Sequence, residues 1–427
     1  MKVLILTYYW PPAGGSGVQR WLKFVKYMQE FDIIPVVYTA DNPSYAILDS
    51  GLENEIPESI QVLKSPIWEP YTLLSFFTRK KEIKTSAGFL QSKKSLFSKF
   101  SSHIRANYFI PDARMFWIKP SVKFLETYLN ENPIDLIISS GPPHSLHKIA
   151  LELKKKTGIK WISDFRDPWT DIDYFHQLPL SLSAKKKHFT MEKEVLTNAD
   201  AVLVVGKTMC QKYLGFNNNT YVITNGYDIA LNEQEVKLDT DFTITHIGMM
   251  NEDRNPHSLW KSLSVLSKEI KGFSDHLKIQ LIGEVDSSVL ESIELSGLKD
   301  NVALISYLPH KEVFQYQRKS QILLLAINRV PSAKGIITGK IFEYLVAKRP
   351  ILAIGPIDGD LAEILKETNS GSINAFDDIV GLSRSLKKSY QDYRGETLQI
   401  DSKDIAKYHR KELTRQLAEL IKKTVKS

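Results

Sequence analysis

Residues with chemical potential gather in this sequence where glycines break the chain beside isolated charges. In residues 331–360, PSAKGIITGKIFEYLVAKRPILAIGPIDGD, Gly339 precedes Lys340 and Ile341, and Glu343 follows one helical turn in. Residues 341–345 are apolar-periodic around that one carboxylate, so they read as a short helix. The first amides of a helix have no intrahelical partner and sit at the positive end of its dipole, which favours phosphate. Glu343 is placed to accept hydrogen bonds from sugar hydroxyls. Lys348 and Arg349 suit the negative end of that helix, and Pro350 stops it. A capped surface helix with a solvated glutamate is the alternative reading.

A second glycine loop, PPAGGSGVQR, carries Gly14, Gly15 and Gly17. Read as G-x-G-x-x-R, it places Arg20 where a dinucleotide fingerprint has its third glycine, while Asp41 mimics the ribose-binding acid of that fingerprint. A nicotinamide oxidoreductase therefore competes. Arginine at that position obstructs the close helix–strand packing a third glycine permits. The double glycine also makes a wider turn, suited to flanking a nucleotide's phosphates and sugar. Asp164, Arg166 and Asp167 follow a strand; Asp167 is a candidate acceptor base or sugar ligand, with an Arg166–Asp ion pair that fixes the loop as the alternative. Cys210 reads as a packed small hydrophobe.

Alternating strand and helix signals must position these groups. Strands are expected at 3–6, 34–38, 60–63, 135–140, 160–164, 201–205 and 221–224, and a second set at 242–247, 277–282, 302–305, 322–326 and 351–354. Such alternation predicts an α/β fold of two doubly wound Rossmann-like domains facing across a cleft, with ligands outside the carboxyl ends of the strands. The expected domains are 1–230 on the acceptor side and 231–403 on the donor side, with a helix in 404–427 packing back on the first. A chain of 427 residues is too long for one ordinary core. One cysteine fits a reducing, cytoplasmic setting. The apolar start ends in Pro11-Pro12 and reads as a first strand rather than a signal peptide. No apolar run approaches the roughly 20 residues that span a bilayer. Residues 76–105 interleave lysines and arginines with phenylalanines, which suits an anionic membrane surface on the inner face; a solvated excursion packing its aromatics on the domain is the alternative. No nucleic-acid-binding module accompanies the charge.

Five motifs in order carry a resemblance over nearly the whole chain: PPAGGSGVQR, SDFRDPW (residues 163–169), ITNGYD (223–228), IGMMNEDR (247–254) and GKIFEYLVAKRPILAIGP. The chain resembles the GT-B glycosyltransferases of family four, a retaining group with bacterial members acting on cell-surface polysaccharides. The resemblance implies that Gly14, Gly15 and Gly17 approach the donor diphosphate and sugar. It implies that Arg254, six residues after Gly248, is one of two cations on the diphosphate, and that Glu343 holds the ribose. The other cation's position is Met249, so Lys340 is expected to supply that charge. The family's first glutamate falls on Gly335, a departure at the residue that approaches the transferred sugar. His144 matches a histidine that contacts the donor sugar, by donating to a hydroxyl or to developing charge. Gly283, Glu284, Leu308 and Pro309 match the loops around the base.

Cleaving sugar from nucleoside diphosphate builds negative charge on the leaving group, and fixed cations and helix amides stabilise it without reorganising. Arg254, Lys340 and the 339–341 amides are assigned that role, His144 and Asp167 the sugar and acceptor side. The resemblance implies transfer from a UDP- or GDP-linked sugar to a glycan or lipid-linked acceptor, with no metal and no cofactor. A non-hydrolysing nucleotide-sugar epimerase and a catalytically idle nucleotide-binding homologue are the alternatives on the same fold.

Overall fold

The computed structural model describes residues 1–69, 96–229 and 236–427. The chain forms two compact units, Met1–Asn225 with Arg410–Ser427, and Gly226–His409. The first holds seven parallel strands: β1 (Lys2–Leu6), β2 (Ile34–Ala40), β3 (Gln61–Ser65), β4 (Leu136–Gly141), β5 (Lys160–Phe165), β6 (Ala201–Val204) and β7 (Thr220–Val222), in the order β3-β2-β1-β4-β5-β6-β7. In register, Val3 lies opposite Pro35 on one side and Leu136 on the other. Successive side chains of a strand point to opposite faces. Val3 and Ile5 accordingly pack with Trp21, Phe24 and Val25 of helix Ser16–Met28, while Leu4 and Leu6 share a core with Trp117, Leu125 and Ile149. Helix Arg410–Lys426 packs against helix Ser16–Met28 through Leu417 and Ile421.

The second unit holds six parallel strands: β8 (Phe242–Ile247), β9 (Leu277–Ile282), β10 (Val302–Ile305), β11 (Ile322–Ala326), β12 (Ile351–Ile354) and β13 (Gly371–Asn374), ordered β10-β9-β8-β11-β12-β13. Strand order reverses between β1 and β4 in one sheet and between β8 and β11 in the other. In doubly wound sheets it is outside the carboxyl ends of the strands at such reversals that ligands bind. Helix Lys340–Ala347 buries Ile341, Phe342 and Leu345 against Leu323, Leu325 and Ala353. That fixes its rotation and leaves Lys340 and Glu343, three residues apart, on a shared side off the core.

Two features differ from the sequence reading. Strand β13, GSIN, escapes it because four mostly polar residues carry no apolar run; its Gly371 lies so close to β12 that a Cβ would sit 2.0 Å from the Ile351 carbonyl oxygen. Arg349 is not a solvated cation at a helix end. Lys348 closes the helix in the left-handed region (φ 53), and Arg349 is buried, donating to the carbonyls of Ser320, Gln321 and Leu398 at 2.8–3.2 Å. Burial pushes its guanidinium down to about 10. The basic aromatic stretch 76–105 lies outside the described residues as far as residue 95. No helix among the described residues is long and apolar enough to cross a membrane.

Candidate functional site

In the second unit the ends of β8 and β9 meet backbone to backbone. Gly248 (φ 95) donates to the Ile282 carbonyl at 2.7 Å, and Gly283 (φ 115) to that of Ile305 at 2.9 Å. A Cβ on Gly283 would lie 3.2 Å from the Gly248 Cα, and one on Gly248 would lie 2.9 Å from Lys340 Cε and Nζ. Both positions favour glycine for their positive φ; at Gly283 the neighbour is tight backbone as well, whereas at Gly248 a Cβ would push aside the flexible end of Lys340. Lys340 folds its ammonium over the end of β8.

Arg254 follows on a short turn, its Nε donating to Asn328 Oδ1 at 3.0 Å and its Nη1 to the Met249 carbonyl at 2.8 Å. The position where the resemblance lacks a cation thus supplies a carbonyl that aims the other one. Burial, then the charge of Arg254, lower the Lys340 ammonium to about 7, against an opposing pull from Glu343. Glu343 accepts from Gln317 Nε2 at 2.9 Å. Under the pair, His246 is fully buried and kept neutral by desolvation, Lys340 and Arg254.

The helix start is more occupied than the sequence implies. The Lys340 amide reaches Thr338 Oγ1 at 3.3 Å and the Ile341 amide the Thr338 carbonyl at 3.2 Å, because the first turn is tightened locally. Of the three amides assigned to phosphate, that of Gly339 has no partner among the described residues. Gly339 is exposed, with helical φ and ψ of −58° and −22°, and a Cβ there would meet nothing within 4 Å. Glu284 and Pro309 are exposed, and Leu308 packs its inner side on the Phe342 core. Gly335 ends a short turn whose Lys334 pairs with Asp358 at 2.5 Å.

In the first unit the glycine loop is partly filled from within. A Cβ on Gly14 would lie 2.8 Å from the Ile47 side chain, and one on Gly17 would lie 3.0 Å from Arg166 Nη1 and 3.2 Å from the Tyr9 ring. Gly15, with φ 81 and exposed, begins helix Ser16–Met28. Arg20 is fully buried, its Nε and Nη2 on Asp164 at 2.9–3.2 Å and its remaining donors on the carbonyls of Ile223 and Thr224 and on Asn225 Oδ1. Asp164 also accepts from Trp21 Nε1 and Ser140 Oγ, both at 2.8 Å. The pair is satisfied on every side, so Asp164 belongs to the scaffold.

His144 lies 4.5 Å from Trp169, ring on ring at 1°, and is 6% exposed. Burial, with His147, His188 and Arg166 nearby, holds it neutral far below the usual imidazole range. A neutral ring can still donate its N–H to a hydroxyl or to developing charge, but it brings no charge of its own. His147 is fully buried on Phe165, bonded to Ser139 Oγ at 2.8 Å and pushed down to about 3. Arg166 clamps the Gly17 carbonyl at 2.6 Å and lies 3.5 Å from Asp167, whose side chain stays 48% exposed. Sequence reasoning missed Asn328, Gln317 and Trp169 as supports. Asn328, a polar residue just past β11, and Trp169, inside SDFRDPW, were visible; Gln317 had no local signal.

No family model matches this sequence, and no curated protein does. Solved structures match over the full length. Sucrose-phosphate synthase from Thermosynechococcus elongatus aligns with TM-score 0.61 and 13% identity, covering 99% of this chain and 98% of that one. HepE of Anabaena, in complex with UDP-glucose, aligns with TM-score 0.59 and 14% identity, covering 99% and 100%. WaaG, a glycosyltransferase involved in lipopolysaccharide biosynthesis, aligns with TM-score 0.56 and 12% identity, covering 98% and 99%. The fold is GT-B. At such identity the likeness speaks for the architecture, and the chemistry has to come from the residues.

Proposed function

We propose that this protein is a metal-independent, retaining glycosyltransferase of the family-four type. It moves a hexose from a UDP- or GDP-linked donor to a glycan or lipid-linked acceptor in cell-surface polysaccharide synthesis, at the cytoplasmic face of a membrane. The observation that carries this reading is the approach of two cations at the end of β8, Lys340 over Gly248 and Arg254 on the neighbouring Met249 carbonyl, near enough for the charge of Arg254 to act on Lys340. Two cations held close in a partly buried place repel each other, and the Lys340 ammonium is lowered by burial first and by the charge of Arg254 second. A diphosphate lying against both relieves the repulsion.

In this reading Arg254, Lys340 and the Gly339 amide stabilise the leaving diphosphate as its charge grows. Glu343, steadied by Gln317, accepts from the ribose hydroxyls. Gly283, Glu284, Leu308 and Pro309 border the base, Gly15 approaches the donor, His144 donates to a sugar hydroxyl as a neutral ring, and Asp167 takes the acceptor proton. HepE, crystallised with UDP-glucose on the same fold, supports the choice of nucleotide. Phosphorus NMR of the protein with a panel of UDP- and GDP-sugars tests it. Release of free nucleoside diphosphate when glycan or lipid acceptor is added is the expected result. An isomerised sugar nucleotide without release identifies an epimerase, and unchanged spectra across the panel contradict catalysis.

A further inference from the structure

We propose that an exposed flank of helix Leu182–Asn198 is a docking surface for an anionic lipid bilayer. The helix turns Ala184, His188, Glu192 and Val195 into the first unit. With a residue every 100°, positions 182, 185, 186, 189 and 193 fall within an arc of about 100° along one flank beside the buried face, over the turns that precede buried Leu196. That arc carries Leu182, 87% exposed, Phe189, 50% exposed, and the exposed lysines Lys185, Lys186 and Lys193. No described carboxylate pairs with any of the three lysines.

The acids of this helix are spent elsewhere. Glu192 points inward to Thr170 and Tyr213, and Glu194, on the opposite flank, pairs with Lys148 and Lys155. On the preceding loop Asp171 pairs with Lys212, and Asp173 is half-buried. The patch continues past the helix start. Asn107 donates to the Pro179 carbonyl and accepts from the Ser181 amide, at 2.8 and 2.7 Å, which sets Tyr108, 70% exposed, beside it.

Protruding leucine, phenylalanine and tyrosine ringed by lysines match an interfacial helix, whose apolar tips enter the headgroup boundary while long lysine stems keep the charge at the phosphates. The charge complementarity decides the occupant: an acid-free arc suits a surface of dense negative charge, and separate protruding tips suit a fluid surface better than a shaped protein groove. This surface is independent of the donor site, and it uses none of residues 76–95.

Flotation of the full chain with vesicles of phosphatidylglycerol and phosphatidylcholine, in roughly a one-to-three mixture, tests it, with pure phosphatidylcholine as the neutral arm. The wild type is expected to float with anionic vesicles and to be released as salt rises. The variant Lys185→Glu, Lys186→Glu, Lys193→Glu should partition at least about a hundredfold less, since each lysine near such a surface contributes roughly fivefold and each glutamate adds repulsion. Leu182→Ser with Phe189→Ser should lose roughly tenfold. All substituted side chains are exposed, so melting temperature and nucleotide-induced shift should stay at wild-type values, which separates this proposal from that of the donor site. Wild type that prefers neutral vesicles or binds neither, or a charge-reversed variant that floats like wild type, overturns it.

Discussion

Arg20 occupies the place of a glycine in a dinucleotide loop, and its guanidinium is spent on Asp164 and the chain at 223–225. Removing one member of a buried, fully bonded ion pair leaves an uncompensated charge. Arg20→Met is therefore expected to lower unfolding free energy by about 3–5 kcal/mol in urea titration, an effect of scaffold rather than of chemistry. Lys340 makes a different prediction. Its ammonium, lowered to about 7, is charged below that pH and neutral above it in the free protein. A bound diphosphate favours the charged form, so binding takes up a proton above pH 7 and affinity declines as pH rises, by at most about tenfold per unit. Calorimetry with a UDP-sugar, which has no phosphate proton to lose in that range, reads this directly. Lys340→Arg should flatten the profile, and an unchanged slope in that variant would assign it to another group.

At the scale of elements, the loops after β8 and before helix Lys340–Ala347 contain glycines with opposite requirements. Gly248 has φ 95 and Lys340 against its Cα, whereas Gly339 is helical with open space around it. Gly248→Ala is expected to cost about 1–2 kcal/mol and to displace the lysine, weakening donor binding. Gly339→Ala should gain roughly 0.4–1 kcal/mol by restricting the unfolded chain, yet weaken nucleotide binding where the ligand approaches that amide. Paired melting and binding measurements check both, and Gly339→Ala that binds as wild type removes that amide from the site. These loops were legible because glycine, charge and strand end coincide in the sequence. Strand β13 was not, since a short polar edge strand is specified by pairing with β12 rather than by its own residues. Arg349 misled for a related reason: sequence shows a cation past a helix, while only packing shows three carbonyls around it.

Across the whole molecule, long alternating apolar runs made both parallel sheets readable, and the strand order places the reversals at β1/β4 and β8/β11. What the sequence left open was how each glycine and charge is used. Gly17 proves to house Arg166 and Tyr9, and His144 is a neutral ring stacked on Trp169, because both depend on partners far along the chain. The donor site proposed above is a corner of the second unit where Arg254, Lys340 and Glu343 gather. Isothermal titration of UDP and GDP into the wild type, Arg254→Ala and Glu343→Ala tests it most directly. Saturable binding of one nucleotide to the wild type is predicted, weakened by about tenfold or more in each variant, as loss of a charged hydrogen-bonding partner implies. Absence of binding to the wild type, or equal affinity in all three proteins, contradicts it.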